Sequence, residues 1–183
     1  MNKKIGRYVI DIILFFLLIA IDRITKAWAV NNLMDAPSIP LIDNVLELYY
    51  LPNGNTGAAF GMLAGHRILF LFIAVIVVAA ILYLVVNMPS DRKYSIIEIL
   101  LVFIASGGVG NMIDRYLQGY VVDFIYISAI NFPIFNVADM YVSVCTVILA
   151  IIVLFRLKEE DYTVLEEAFR TPLKRLSSKK RKQ

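Results

Sequence analysis

Residues 106–139 read SGGVGNMIDRYLQGYVVDFIYISAINFPIFNVAD and join two strongly hydrophobic runs of the chain. The stretch begins with small residues inside one run, passes three aspartates and enters the next run. These aspartates are Asp114, Asp123 and Asp139. Because a charge inside or beside an apolar segment is costly, the three carboxylates are candidates for a functional site.

The composition of the whole chain favours a membrane protein. Of its 183 residues, 60% are hydrophobic, and the mean hydropathy is +0.73, whereas soluble domains are about half apolar. This length predicts one domain. The single Cys145 excludes a disulfide framework, and the single His66 excludes a histidine-cluster metal centre.

Four hydrophobic segments predict an all-α membrane protein with four transmembrane helices. They cover residues 8–30, 68–86, 94–113 and 137–155. About 20 helical residues cross the hydrocarbon core, and a helix satisfies its own backbone hydrogen bonds in lipid. We therefore expect residues 1–156 to form a transmembrane domain and residues 157–183 to form a tail.

The first segment also has the outline of a secretory signal peptide. Basic residues precede it, and Ala27-Trp28-Ala29 resembles a cleavage site. Charged residues between the apolar run and this triplet, together with the later spans, favour a retained helix. These charged residues are Asp22, Arg23 and Lys26.

The placement of lysine and arginine predicts the orientation of the helices. Basic residues precede the first segment, lie in the short loop between the second and third, and follow the fourth. The longer loops, residues 31–67 and 114–136, contain Arg67 and Arg115 as their only basic residues. Both termini are therefore expected in the cytoplasm, and both long loops at the outer face of the membrane.

The loop 31–67 is expected to form a small extracytoplasmic β element on the outer surface. Residues 39–42 and 46–51 resemble strands, and Asp43-Asn44 between them is a plausible turn. The run 52–55 then breaks the chain. Gly57 and the small residues after it are expected to begin a short surface helix.

The tail after residue 156 differs in composition from the spans. Apolar residues at helical spacing lie among glutamates, which predicts a short amphipathic helix. A disordered basic end is expected after it, with attraction to anionic lipid of about 1 kcal/mol per basic residue as its functional interpretation. The basic residues are Lys174, Arg175, Lys179, Lys180, Arg181 and Lys182.

In the predicted orientation, the unusual carboxylates gather at the outer interface. Two close carboxylates cannot both ionise easily, so one retains a proton, and the pair can supply acid and base to one water molecule. This is the chemistry of aspartic proteolysis, and such a pair titrates as a unit. The four candidates are Asp22, Asp114, Asp123 and Asp139.

Structural roles for the same region remain open at this point. Asp114 and Arg115 can form an interfacial ion pair, and Asp22 and Lys26 have the i,i+4 spacing of a helix-surface pair. The glycines at 107, 108 and 110 are suited to close helix packing. From the carboxylates alone, a transporter, an ion-coupled binding protein or a structural membrane scaffold competes with an aspartic enzyme.

Five sequence blocks follow one another along the four predicted helices and their loops. They are Asp22-Arg23-Ile24-Thr25-Lys26, Asn55-Thr56-Gly57-Ala58-Ala59-Phe60, Gly110-Asn111-Met112-Ile113-Asp114-Arg115, Gly119-Tyr120-Val121-Val122-Asp123-Phe124 and Phe135-Asn136-Val137-Ala138-Asp139. These blocks resemble, in the same order, those of lipoprotein signal peptidases, also called signal peptidase II. The resemblance extends to about Arg156, and five blocks on four predicted helices are together highly specific. The chain departs from the family at Ser106-Gly107-Gly108, where the family often has Gly-Gly-Ala.

The resemblance implies an aspartic endopeptidase of the bacterial inner membrane, with its active site at the outer face. Family members cut the signal peptide of prolipoproteins just before a diacylglyceryl-modified cysteine. Asp123 and Asp139 match the catalytic pair, which needs no cofactor and no metal. The implied partners are the diacylated prolipoprotein, membrane lipid and a globomycin-type inhibitor, with no nucleic acid, and a monomer is expected.

The resemblance also implies supporting positions. Some match residues that support the site or hold the substrate backbone, and on this interpretation Asp114 is the partner of Arg115. Others match motif positions whose individual roles are not separated. The outer β element is expected to cover or align the substrate, as a mobile lid. The supporting positions are Asn111, Asp114, Arg115 and Asn136 in the first group and Asn55, Gly57, Asp22 and Lys26 in the second.

Overall fold

The computed structural model describes residues 3–56 and 67–180, and within these ranges the chain is mostly helical. Four helices coincide with the four predicted segments, and a fifth follows in the tail. They are α1 (Lys3–Leu33), α2 (Arg67–Asn87), α3 (Ser95–Leu117), α4 (Val137–Phe155) and α5 (Glu159–Lys180).

Within the described residues, two helical segments are long and apolar enough to cross a membrane: Arg92–Leu117 and Val137–Phe155. α2 contributes a shorter apolar stretch, Leu71–Asn87, and α1 has several charged residues along its length. The length and apolar composition of these two segments agree with the sequence interpretation. A total of four spans stays a prediction.

α3 is the central helix of the bundle and packs against α1, α2 and α4. Its three glycines each face a different neighbour. A Cβ atom at Gly107 would lie 2.5 Å from the Ala138 carbonyl oxygen of α4, and one at Gly108 would lie 3.3 Å from a Val78 methyl group of α2. At Gly110, the nearest atom would be a carboxylate oxygen of α1, at 2.5 Å. The predicted packing role of these glycines is therefore confirmed.

The predicted β element forms a three-stranded antiparallel sheet in the order β1-β2-β3. Its strands are β1 (Ile39–Ile42), β2 (Leu46–Leu48) and β3 (Ile125–Tyr126). The predicted turn between β1 and β2 contains Asn44, which has a φ of 57°. β3 comes from the loop 114–136, so the sheet joins the two loops at one end of the bundle.

The second strand-like run is shorter than predicted as a regular strand, but its backbone pairing continues beyond β2. Tyr49 N donates to Phe124 O at 2.9 Å, and Leu51 N donates to Asp123 O at 3.0 Å. A small apolar cluster packs the segment around Asp123 against the end of α1. Its buried members are Ala29, Leu33, Tyr50, Val122 and Phe124.

The tail helix α5 corrects the prediction of a short helix with a disordered basic end. It has 22 residues and continues through the basic region to Lys180. Its first half is held by tertiary contacts that a local sequence pattern does not contain: Leu165 and Phe169 pack against the core formed by α2, α3 and α4.

Candidate active site

Asp123 lies between α3 and β3, on a backbone segment that is fixed from both sides. Asn55 and Val121 exchange two backbone hydrogen bonds of 2.9 Å, and Phe124 N donates to Phe135 O at 3.0 Å. The flanking Val122 and Phe124 are buried. This packing holds the Asp123 side chain, which is 1% exposed, against the ends of α3 and α4.

Asp139 lies in the first turn of α4, where a capping box orients it. The Asn136 Oδ1 atom accepts a hydrogen bond from Asp139 N at 3.0 Å, and Asp139 Oδ2 accepts one from Asn136 N at 3.1 Å. Such reciprocal bonds satisfy backbone donors that a helix N-terminus otherwise leaves unpaired. The local sequence therefore fixes both the start of α4 and the direction of the Asp139 carboxylate.

Two asparagine amides connect Asp123 to Asp139. Asn136 Nδ2 donates to Asp123 Oδ1 at 2.6 Å and to Asn111 Oδ1 at 3.1 Å. Asn111 Nδ2 donates to Asp139 Oδ1 at 2.8 Å. On the other side, Asn55 Nδ2 donates to Asp123 Oδ2 at 2.8 Å. The structure thus brings five of the predicted site residues into one hydrogen-bonded group, which we call the amide bridge.

The electrostatics of this group favour proton exchange at Asp123. Burial, with a further contribution from the Asp139 charge, raises the pKa of Asp123 to about 6, against the hydrogen bonds from Asn55 and Asn136, which lower it. A carboxyl group with this pKa changes its protonation state near neutral pH, which is where a general acid or base is effective.

A charged layer lies behind the amide bridge. Lys26 Nζ lies 2.9 Å from Asp22 Oδ2 and 3.0 Å from Asp114 Oδ2, and it donates to Asn111 Oδ1 at 2.8 Å. Asp114 also pairs with Arg23. Lys26 and both aspartates are at most 1% exposed. Because each buried charge has an opposite partner, the layer avoids the penalty of an isolated buried ion.

The two aspartates of this layer also hold the backbone of the site. Asp22 Oδ1 accepts a hydrogen bond from Ala138 N at 3.1 Å, next to Asp139. Asp114 Oδ2 accepts one from Val122 N at 3.3 Å, next to Asp123. Asp22 and Asp114 both face the Lys26 ammonium group, whereas the side chains that donate to Asp123 are neutral asparagine amides.

Two sequence interpretations of ion pairing have different outcomes. The Asp22–Lys26 pair is confirmed. Asp114 pairs with Arg23 and Lys26 of α1, two partners that the sequence interpretation did not give it. The predicted pairing of Asp114 with Arg115 stays a prediction.

Arg23 is the residue whose role the sequence interpretation missed. It belongs to the first matched block, but nothing in its spacing shows that it reaches a carboxylate 91 positions away in the chain. Gly57 and the predicted surface helix that it begins lie outside the described residues, and the lid hypothesis stays a prediction. Across residues 3–56 and 67–180, no group of three or more histidine, cysteine, aspartate or glutamate side chains is arranged to hold a metal ion.

Comparison with solved structures gives the class of the protein. Two bacterial membrane enzymes have the same fold, with TM-scores of 0.68 and 0.67 and sequence identities of 30% and 27%. The first alignment covers 80% of this chain and 87% of the solved chain, and the second covers 80% and 94%. The chain is therefore a protein of the bacterial membrane-enzyme class.

The sequence comparisons give the family. Its description is Signal peptidase (SPase) II, and its profile matches residues 14–155. The lipoprotein signal peptidase of Clostridioides difficile (strain 630) is 41% identical over 145 residues, covering 79% of this chain and 94% of the relative. That of Streptococcus pyogenes serotype M5 (strain Manfredo) is 38% identical over 162 residues, covering 88% and 99%. The chain belongs to the signal peptidase II family and is a membrane peptidase.

Proposed function

We propose that this peptidase removes the signal peptide from bacterial prolipoproteins as an aspartic endopeptidase, with Asp123 and Asp139 as its catalytic pair. The observation that carries the proposal is the amide bridge. It holds the buried Asp123 carboxyl group near Asp139, and the charge of Asp139 contributes to raising the pKa of Asp123 to about 6. The names of the relatives, lipoprotein signal peptidase, supply the substrate class.

The pair carries one proton in its active form. The ionised carboxylate takes a proton from a water molecule as the water oxygen bonds to the scissile carbonyl carbon, and the protonated carboxyl gives its proton to the carbonyl oxygen. When the C–N bond of the resulting diol breaks, the leaving amine takes the proton that came from water. The diol returns the other proton, so the pair is regenerated. Because the pair titrates as a unit, neither aspartate is assigned as the base.

The supporting residues have separate roles in this proposal. Asn55, Asn111 and Asn136 orient the two carboxylates through the bonds of the amide bridge. Arg115 is suited to holding a carbonyl oxygen of the substrate backbone, because a guanidinium is a permanent cation with several donors.

The charged layer fixes the scaffold rather than taking part in proton transfer. Asp22 and Asp114 hold the backbone amides next to the catalytic pair, and Lys26 pairs with both while Arg23 pairs with Asp114. Gly57 matches a motif position of the same family, and we keep it among the supporting residues.

The position of the site suits a lipidated substrate. A signal helix and a diacylglyceryl group both lie in the bilayer, so the bond before the modified cysteine lies near the membrane surface. Asp139, which is partly exposed, is at the N-terminal end of α4, and Asp123 lies outside the helices. The basic residues that begin α1, lie between α2 and α3 and follow α4 are at the opposite end of the bundle, which favours an outer-face site in the inner membrane with cytoplasmic termini.

The test of the proposed function is cleavage of a defined precursor by the full chain in lipid nanodiscs. A diacylglyceryl-modified prolipoprotein is compared with the same precursor without the lipid, and the products are identified by mass. We expect one cut, before the modified cysteine, that globomycin inhibits. Cleavage at another bond, or equal cleavage of the unmodified precursor, would contradict the proposed substrate.

A further inference from the structure

α5 lies at the end of the bundle opposite the candidate site and outside the part of the chain that matches the family profile, residues 14–155. α4 ends at Phe155, and α5 begins at Glu159. So short a connection keeps the start of α5 at the level where α4 leaves the membrane. The direction of α5 from that point depends on its contacts with the bundle.

The first contact fixes the N-terminal turn of α5. Asp161 is 7% exposed, accepts a hydrogen bond from the Tyr94 hydroxyl at 2.9 Å and forms an ion pair with Lys93. Its other oxygen accepts from Lys158 N at 3.1 Å. Tyr94 directly precedes α3 and is buried. The beginning of α5 is thus attached to the beginning of α3.

The second contact lies about two turns further along α5. The Tyr83 hydroxyl donates to Phe169 O at 2.5 Å, and Tyr83 lies about one turn before the end of α2. Asp161 and Phe169 are separated by about 12 Å along a helix. Both attachment points on the bundle lie near helix ends, so the first half of α5 runs across the end of the bundle and along the membrane surface.

The charge of α5 changes sign at its middle. Residues 159–170 contain five acidic residues and one basic residue, whereas residues 171–180 contain four basic residues and no acidic residue. The acidic half contains both contacts with the bundle. The basic half follows the second contact along the helix.

The apolar positions of α5 continue through this change of charge. Leu165 and Phe169 pack against the bundle core, and Leu173 and Leu176 extend the same helical spacing through the basic half. A helix with an apolar stripe and several lysines and arginines is typical of a segment that lies in the interface of an anionic membrane.

We propose that the basic half of α5 binds anionic lipid headgroups on the membrane surface opposite the candidate site. The acidic half, which is anchored to the bundle at Asp161 and Phe169, directs the basic half toward this surface. A membrane is favoured over a soluble partner because the two contacts place the helix along the surface. This proposal does not depend on the peptidase mechanism, since α5 is remote from the candidate site.

The test uses a polarity-sensitive fluorophore on a cysteine at position 178, as Ser178→Cys in a Cys145→Ala background of the full chain. The protein is placed in nanodiscs of phosphatidylcholine, with or without phosphatidylglycerol. We expect phosphatidylglycerol to shift the emission to the blue and reduce quenching by acrylamide several-fold, and high salt to reverse both effects. Equal emission and quenching in the two lipids would overturn the proposal.

Two variants separate lipid binding from other effects. Replacing Lys174, Arg175, Lys179 and Lys180 with glutamine should abolish the response to phosphatidylglycerol. The matched control removes the exposed Glu166–Arg170 ion pair of 2.7 Å with two glutamines and should respond like the parent. An undiminished response in the quadruple variant, or an equal response to soluble glycerol phosphate in phosphatidylcholine nanodiscs, would also overturn the proposal. The thermal transition of each variant reports whether the bundle is intact.

Discussion

Replacing Asn136 with serine or alanine separates the two roles of this side chain. Its Oδ1 atom caps α4, whereas its Nδ2 atom donates to Asp123 at 2.6 Å and to Asn111 at 3.1 Å. Serine caps a helix about as well as asparagine, but its single hydroxyl cannot replace both Nδ2 bonds. Alanine can neither cap α4 nor donate a side-chain hydrogen bond.

The magnitudes follow from the lost bonds. Asn136→Ser loses a hydrogen bond to a charged group, typically about 1.5–3 kcal/mol. If that bond organises the reacting pair, the cleavage rate falls by roughly 10- to 150-fold. Asn136→Ala should lose activity to a similar extent and about 1 kcal/mol more stability than the serine variant, because the cap is also lost.

The assay compares cleavage of the diacylated precursor with the free energy of unfolding in mixed micelles. A serine variant that cleaves at close to the parent rate would refute the idea that the amide bridge organises the pair. Equal unfolding free energies for the serine and alanine variants would refute the capping role. Parent protein purified and reconstituted in parallel controls for differences in lipid content.

Three further predictions concern the surroundings of the pair. Asn55→Ala removes a hydrogen bond that lowers the pKa of Asp123. The alkaline limb of the pH profile of kcat/KM should therefore move to higher pH. An alkaline limb at the parent pH, or at a lower pH, would contradict this prediction. Gly110→Ala places a Cβ atom 2.5 Å from a carboxylate oxygen of α1. We expect it to lower the free energy of unfolding by about 1–3 kcal/mol. Gly108→Ala, the matched control, should lower the free energy of unfolding by less. Lys26→Met removes an ion-pair partner from two buried carboxylates and should lower the free energy of unfolding by about 3–5 kcal/mol. A thermal transition at the parent temperature would contradict the stabilising role of Lys26 in the charged layer.

The sequence predicts those parts of the fold that local patterns determine. α4 has the predicted bounds, because a largely apolar run lies between the capping Asn136 and the charged Arg156. α3 continues beyond the predicted residue 113, since its polar last turn lacks a helix breaker before Gly119, which adopts a φ of 88°. β3 has two residues, too few for a period-two pattern to stand out.

The site shows the same division between local and tertiary information. The capping box of Asn136 and Asp139 and the pair of Asp22 with Lys26 are local, so spacing can indicate them. The pairing of Arg23 with Asp114 depends on how α1 packs on α3, which close contact at the α3 glycines makes possible. Burial of Asp123, and with it the raised pKa, likewise exists only after the two long loops have joined in one sheet.

The central claim is that Asp123 and Asp139 form the catalytic pair, and the most direct measurement is the cleavage rate of the Asp123→Asn and Asp139→Asn variants. Asp43→Asn, at an exposed turn between β1 and β2, is the matched control. With all variants folded and reconstituted equally, each site variant should lose about 10²–10⁴-fold in rate, the usual contribution of an acid–base group, while the control retains parent activity. Cleavage of the diacylated precursor at the parent rate by either site variant would contradict the claim.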